Sequence, residues 1–404
     1  GAAGDALRVS LAGARLGERL ALDDDTLIEV VGFSGAEAVA LPLTVPGVVQ
    51  AGGAVRRVAG VATVPVGLEL VGRVLDGLGR PLDGLGPLPP ATWPARRRAP
   101  DPMTRRPVTR PLPFGVRCID GLCTVGAGQR IALEAGPGAG KSTLLAQIAA
   151  QAEADVVVLA LVGERGREVG AFLAGLPAAA RARSVVVVAR ADDPPLAWLR
   201  AAETATAIAE WFRELGRDVL FLCDSLTRVA RAVRTVGVAA GEPTTRRGFP
   251  ASLATVIAGL LERAANDAHG TLTAVYTVLV EGERTEDPVA EEARALLDGH
   301  LALDAGLAGA GQFPALDLGA SVSRCMDALI EPGQRAAARR VRGWMAALAR
   351  NRGLIEVGAY AAGADPTTDE ALRKRAALEL FLRQAPDEAT DFATTTHRLA
   401  VLAA

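Results

Sequence analysis

A glycine loop standing between an apolar strand and a helix constrains this chain more than any other feature. The run Ala135-Gly-Pro-Gly-Ala-Gly-Lys-Ser-Thr143 follows the apolar stretch Arg130 to Ala135 and precedes a helical stretch from Leu144 to Gln151. In that context successive backbone N–H groups point into one concavity, the helix adds the positive end of its dipole, and a lysine reaches outer phosphates. Gly136, Pro137, Gly138, Ala139, Gly140, Lys141, Ser142 and Thr143 are therefore expected to cradle the phosphates of a nucleotide, with Ser142 placed to ligate Mg²⁺. Ala135 replaces the first glycine of G-x-x-x-x-G-K-[ST], at a position that shapes the turn and donates no charge.

The surroundings of the loop fix its architecture. After Gly128, apolar stretches at Arg130 to Ala135, Asp155 to Val162, Ser184 to Arg190, Asp218 to Asp224 and Leu272 to Val280 alternate with helical segments. The first four lack the polar alternation of a one-sided sheet, which predicts strands covered on both faces and hence a parallel α/β sheet. Ligands of such sheets sit beyond the carboxyl ends of the strands. Glu164, in Gly163-Glu-Arg-Gly-Arg-Glu168, would then face the glycine loop and orient or activate an attacking water, the alternative being a surface pair with Arg165 or Arg167. Asp224 closes the strand Val219-Leu-Phe-Leu-Cys223 in the Walker B manner and would hold Mg²⁺ through its water shell, a role compatible with capping the helix from Ser225. Arg228, one turn further, and Arg165 are candidate catalytic cations around the same phosphates. An acid, a base and a metal-binding group around one Mg-nucleotide predict hydrolysis rather than passive binding.

The flanks read differently. Short β-rich bursts at Leu27 to Phe33, Ala38 to Leu43, Ala54 to Val58 and Ala62 to Val66, punctuated by Gly and Pro, predict a small all-β barrel or sandwich over residues 1–75, taken as a β-barrel domain, rather than an irregular Gly-rich loop region. Between Asp76 and Pro113 the chain is rich in Pro, Gly and Arg without periodicity, which predicts a linker or extended strap opening a nucleotide-binding domain over 76–335. Residues 336–404 carry helical spacing, interrupted from Gly363 to Pro366, and are expected to form a helical domain. At 404 residues, half of them hydrophobic, the chain has the core for such a multidomain build.

Composition excludes several classes. A formal charge of −2 does not suit a broad phosphate-backbone surface, so no nucleic-acid partner is expected. The longest apolar runs, Val156 to Val162 and Leu272 to Val280, fall far short of the roughly 20 residues that span a bilayer. No signal-peptide pattern opens the chain, which starts on Gly1 as a trimmed chain would, and cysteine is sparse, so a reducing cytoplasm is expected. Cys118 and Cys123 lack a second pair at zinc spacing, and His269, His300 and His397 show no mutual spacing for catalysis.

Together, GPGAGKSTLL, LVGERGREV, VLFLCDSLTRVARAVR, GEPTTRRGFPASL, YTVLVEG, DGHLAL and FPALDLGASVSR resemble the flagellar and type III secretion ATPase family, relatives of the rotary ATP synthase subunits, from about Leu16 to Leu382. The resemblance implies a β-barrel, a RecA-like nucleotide domain and a helical last domain. It implies ATP and Mg²⁺, with Lys141 and Ser142 on phosphate and metal, Glu164 as the catalytic carboxylate, Asp224 as the Walker B acid, and Arg324 in Ser-Val-Ser-Arg as an arginine finger for a neighbouring subunit. Phe313, before Pro314, aligns with a residue that stacks on adenine in the rotary relatives; core packing is the alternative.

The partners so implied are other copies in a hexamer, stalk and stator proteins of a secretion apparatus, and chaperone-bound cargo. The location so implied is the cytoplasmic mouth of an inner-membrane export apparatus, with peripheral membrane association. GVRCIDGL, GKSTLL and FLRQ look more like the injectisome branch than the flagellar one, and both stay open, as does a rotary synthase subunit. A Rho-type RNA translocase would need a basic, aromatic barrel face, whereas the first domain carries one aromatic, Phe33. Two departures stand out: Glu283 and Arg284 follow Gly282 where the family has two aspartates, and the opening strand before Leu16 is expected to be short or absent.

Overall fold

The computed structural model describes residues 2–3, 6–58, 60, 62–280 and 287–404. Glu283 and Arg284 lie outside the described residues.

The centre is an eight-stranded sheet in the order Val322–Ser323, Gly299–Ala302, Arg130–Ala135, Thr271–Leu279, Asp218–Asp224, Val156–Glu164, Ser184–Arg190 and Val74–Asp76. Every neighbouring pair is parallel except the first. The continuous apolar runs are explained by where alternate side chains go. Val157, Leu159 and Leu161 enter one core with Leu144, Leu145 and Ile148 of the helix Lys141–Gln151. Val158, Ala160 and Val162 enter another with Leu196, Ala205 and Ile208 of the helix Pro195–Glu214. A strand buried on both faces has no solvent side on which to place polar residues.

The amino-terminal strands form a six-stranded antiparallel sheet, a half-barrel with its own small core around Leu20, Ile28 and Val30. The strand before Leu16 is present and short: Ala6–Val9, four residues, pairs with Glu37–Pro42. The last burst departs from the rest, since Thr63–Pro65 leaves this sheet to pair with Thr92–Pro94 inside the stretch read as a strap. Val74–Asp76, spanning the expected boundary at 75, is the far edge of the central sheet. The carboxyl-terminal helices Pro332–Arg350, Pro366–Leu382 and Phe392–Ala403 close over the helix Arg117–Leu122, with Trp344, Phe381 and Leu399 sharing its core. Among the described residues no helix is long and apolar enough to cross a membrane.

The strap is held by its own arginines. Arg97 stacks on Trp93 at 4.5 Å and bonds Glu214, Arg105 bonds Glu262 at 2.7 Å, and Arg110 pairs with Asp218. Arg96 joins a denser knot. Glu29 of the half-barrel, 1% exposed, accepts hydrogen bonds from Arg96 at 2.9 Å and from both ends of the Arg200 fork at 3.0 and 2.7 Å. Arg200 is itself buried on the helix Pro195–Glu214, so this carboxylate ties the first sheet to the second layer. Removing one partner of a buried pair leaves a desolvated charge, so Glu29→Ala is expected to cost about 3–5 kcal/mol in chemical denaturation. Breaking the exposed Arg56–Asp25 pair with Arg56→Ala is expected to leave the denaturation midpoint unchanged.

Candidate nucleotide site

The site grows from three strand ends. At Arg130–Ala135 the chain leaves the sheet into the glycine loop, where Gly138 and Gly140 take φ of +76° and +84°, a left-handed conformation that side-chain-bearing residues avoid. Gly140 caps the helix Lys141–Gln151 without a side chain of its own, which keeps the first-turn N–H groups accessible. Ser142 and Thr143 are exposed on that first turn.

Glu164 is the last residue of Val156–Glu164, and the pairing register with Ser184–Arg190 shifts between Val162 and Glu164. The irregularity is centred on Gly163, at φ +66°. A Cβ there would lie 2.6 Å from Cδ of Arg228 and 3.3 Å from the Trp198 ring, so only glycine admits both neighbours. Asp224 ends the adjoining strand and is 3% exposed.

These ends converge. The Lys141 ammonium donates to Asp224 Oδ1 and stands 4.0 Å from Glu164 Oε1. Thr277 Oγ1 donates to the same Asp224 oxygen at 2.7 Å, and Arg228 Nε lies 3.7 Å from Glu164 Oε1. Burial, and secondly the negative charge of Asp224, push the Glu164 carboxyl up to about 7, against the pull of Lys141. A cavity of about 310 Å³ opens here between Ser142, Thr143, Glu164, Phe172 and Asp224.

A second cavity, of about 520 Å³, lies across the loop between Gly140, Gln147, Phe313, Arg383 and Gln384. Phe313 is 46% exposed and its ring passes 3.8 Å from the Cβ position of Gly140, which rules out simple core packing. Its carbonyl accepts the Gln384 backbone N–H at 2.9 Å, so the segment after the helix Pro366–Leu382 forms one wall of this space. Arg383 and Gln384 lie in FLRQ and Thr277 in YTVLVEG, stretches that mark the family resemblance without assigning these side chains a role; only proximity in the fold brings them to the site.

Two expected residues stay outside the cluster. Arg165 is 71% exposed and pairs with Glu168 at 3.3 Å, away from Lys141. Arg324 is exposed at the other end of the sheet, where its backbone N–H donates to Asp298 O at 2.9 Å, beside the amino end of the glycine-loop strand. Within one chain it cannot reach the cavity between Ser142 and Asp224.

The residues present suit a magnesium nucleotide. The first turn of the loop helix and its hydroxyls border one space, Lys141 reaches the Asp224 and Glu164 carboxylates that line it, and Ser142 and Asp224 supply the oxygen donors that a hard divalent ion takes. The model of the ATP synthase alpha/beta family, nucleotide-binding domain, matches residues 115–323, and that of the T3SS EscN ATPase C-terminal domain matches residues 330–401. The chain belongs to the type III secretion and flagellar ATPase family.

Members of this family that it resembles include the type 3 secretion system ATPase of Sinorhizobium fredii, 49% identical over 334 residues, or 82% of this chain and 74% of that protein. The flagellum-specific ATP synthase of Pseudomonas aeruginosa is 44% identical over 93% of this chain and 84% of its own length. Among solved structures, the assembled ATPase EscN from the enteropathogenic E. coli type III secretion system superposes with a TM-score of 0.96 at 39% identity, covering 100% of this chain and 99% of that one. As a member of the family the chain is an ATP-hydrolysing enzyme.

The raised Glu164 carboxyl is directly testable. Burial favours its neutral form, and carbodiimides attack protonated carboxyls, so labelling of Glu164 read by mass spectrometry should rise as pH falls through about 7. Labelling that begins only near the ordinary value of 4.5 would remove the claimed desolvation.

Proposed function

We propose that this chain is the ATP-driven motor of a bacterial type III protein-secretion system, working as a ring, a hexamer by analogy with the family, whose active sites are shared between subunits. The observation that carries the reading is the split of the machinery: Lys141, Glu164 and Asp224 meet at one strand edge, while Arg324 stands exposed at the opposite end of the same sheet.

In this reading the loop N–H groups and Lys141 bind the outer phosphates of ATP, and Phe313 with the Gln384 segment encloses the base. Ser142 and Asp224 would hold Mg²⁺, which would supply neutralisation of the phosphate charge. Glu164, in its ionised form, orients a water towards the terminal phosphorus and takes its proton, and Arg228 beside it holds the carboxylate in place. Arg324 of the neighbouring subunit meets the charge that develops on the transferring phosphoryl group, a contribution on the order of 10³–10⁵ in rate for arginine fingers.

The relative EscN was solved assembled and in complex with its central stalk EscO, and the superposition of this chain on it supports a ring threaded by a stalk protein. Release or unfolding of chaperone-bound cargo at the cytoplasmic entrance, with peripheral attachment to the inner-membrane apparatus and contact with stator proteins, completes the proposal. The match of residues 330–401 to a secretion-type carboxyl-terminal domain favours the injectisome over a flagellar role, for which the 44% identity to a flagellum-specific relative speaks.

Glu164→Gln is expected to bind ATP as the wild type does and to lose turnover by about a thousandfold, measured by nucleotide titration and phosphate release. Arg324→Ala should assemble and fail to hydrolyse, and wild-type specific activity should climb with protein concentration as rings form. Full activity in either variant would remove that residue from the mechanism.

A further inference from the structure

One buried ion pair outside the cluster ties the two halves of the proposed shared site together. Glu134 sits in Arg130–Ala135, immediately before the glycine loop, and its side chain is 1% exposed. A carboxylate inside an apolar strand is costly unless it is paired and hydrogen-bonded. Arg294, on the helix Pro288–Leu296, supplies both bonds: Nε reaches Glu134 Oε1 at 2.7 Å and Nη2 reaches Oε2 at 2.8 Å, a two-pronged grip that fixes direction as well as distance.

The same arginine touches the proposed finger. Its backbone carbonyl accepts from Arg324 Nη2 at 3.1 Å, and four residues on, the Asp298 carbonyl accepts the Arg324 backbone N–H at 2.9 Å. The Asp298 carboxylate in turn accepts the backbone N–H of Arg130 at 3.0 Å, at the start of the strand that Glu134 nearly ends. Residues 294–298 are thus fastened to the glycine-loop strand at two points, and both the backbone and the side chain of Arg324 hang on that segment.

We infer that Glu134 and Arg294 are positioning residues for Arg324, setting the arginine that a subunit offers its neighbour relative to the strand that carries the subunit's own phosphate loop. The inference rests on reading Arg324 as part of the neighbour's site. Neither Glu134 nor Arg294 lines either cavity beside the glycine loop. Their effect is felt one subunit away, and a shift of the loop strand in one subunit is carried to the active site of the next.

Mixed rings separate this from a local structural role. Lys141→Ala subunits keep a finger and lose a site, Arg324→Ala subunits keep a site and lose a finger, and rings containing both hydrolyse ATP only where the two meet. Into one or the other goes Glu134→Leu with Arg294→Leu, since replacing a buried ion pair by an apolar pair is often neutral for stability. Glu134→Gln, closer in shape, is run in parallel so that the comparison survives a packing fault in the double variant.

Placed in the finger-donating subunit, the change should lower activity by about tenfold or more through misplacement of Arg324. Placed in the site-bearing subunit, it should leave activity as it was. Loss that follows the site-bearing subunit, equal loss from either, or no loss from either would overturn the inference. Mixed rings shown by mass to contain both subunits yet inactive before any change at Glu134 would instead overturn the shared-site reading beneath it.

Discussion

Burial of the central strands on both faces decides where chemistry can happen in this molecule. Val156–Glu164 and Asp218–Asp224 are sealed between two apolar layers along nearly their whole length, so their interiors carry no acid and Glu164 and Asp224 appear only at their carboxyl ends. Because the strands run parallel, those ends fall on one edge, and Glu164 and Asp224 arrive beside the glycine loop that the strand Arg130–Ala135 feeds. The Lys141–Asp224 contact and the raised Glu164 carboxyl follow from that placement, since the same apolar layers that position the acids also desolvate them.

A parallel sheet has a second edge, and the chain uses it. Asp298, Arg130, Glu262 and Arg324 gather at the amino ends of the strands, at the opposite end of Arg130–Ala135 from the loop. The exposed arginine there has no access to its own chain's cavity. Hydrolysis that requires both edges requires two subunits, and the ion pair between Glu134 and Arg294 connects the edges within each one. On this view assembly is a chemical requirement, and the sheet acts as a rigid spacer between giving and receiving ends.

Much of this is legible in the sequence. Arg130–Ala135, Ser184–Arg190 and Asp218–Asp224 begin and end where the sequence predicts, because a strand buried on two faces is mostly apolar along its interior. The glycine loop and the acids at strand ends were legible for the same reason. The strap was not, because its order comes from partners far along the chain: Arg96 meets Glu203 across 107 residues and Arg105 meets Glu262 across 157. Composition there shows arginine and proline but not the carboxylates that hold them. Phe313 was undecided between stacking and packing because a lone aromatic before proline carries no periodicity. Glu134 gives no signal of its role inside an apolar run because its partner lies 160 residues away.

The central claim is that one active site takes Lys141, Glu164 and Asp224 from one subunit and Arg324 from the next. The most direct measurement is a structure of the assembled ring with ADP and aluminium fluoride as a mimic of the transferring phosphoryl group. The account predicts the guanidinium of a neighbour's Arg324 within hydrogen-bonding distance of the fluoride ligands, and Glu164 within reach of the water in line with the leaving group. A ring in which the mimic is bound while every Arg324 faces solvent, or lies against its own chain far from any nucleotide, would contradict it.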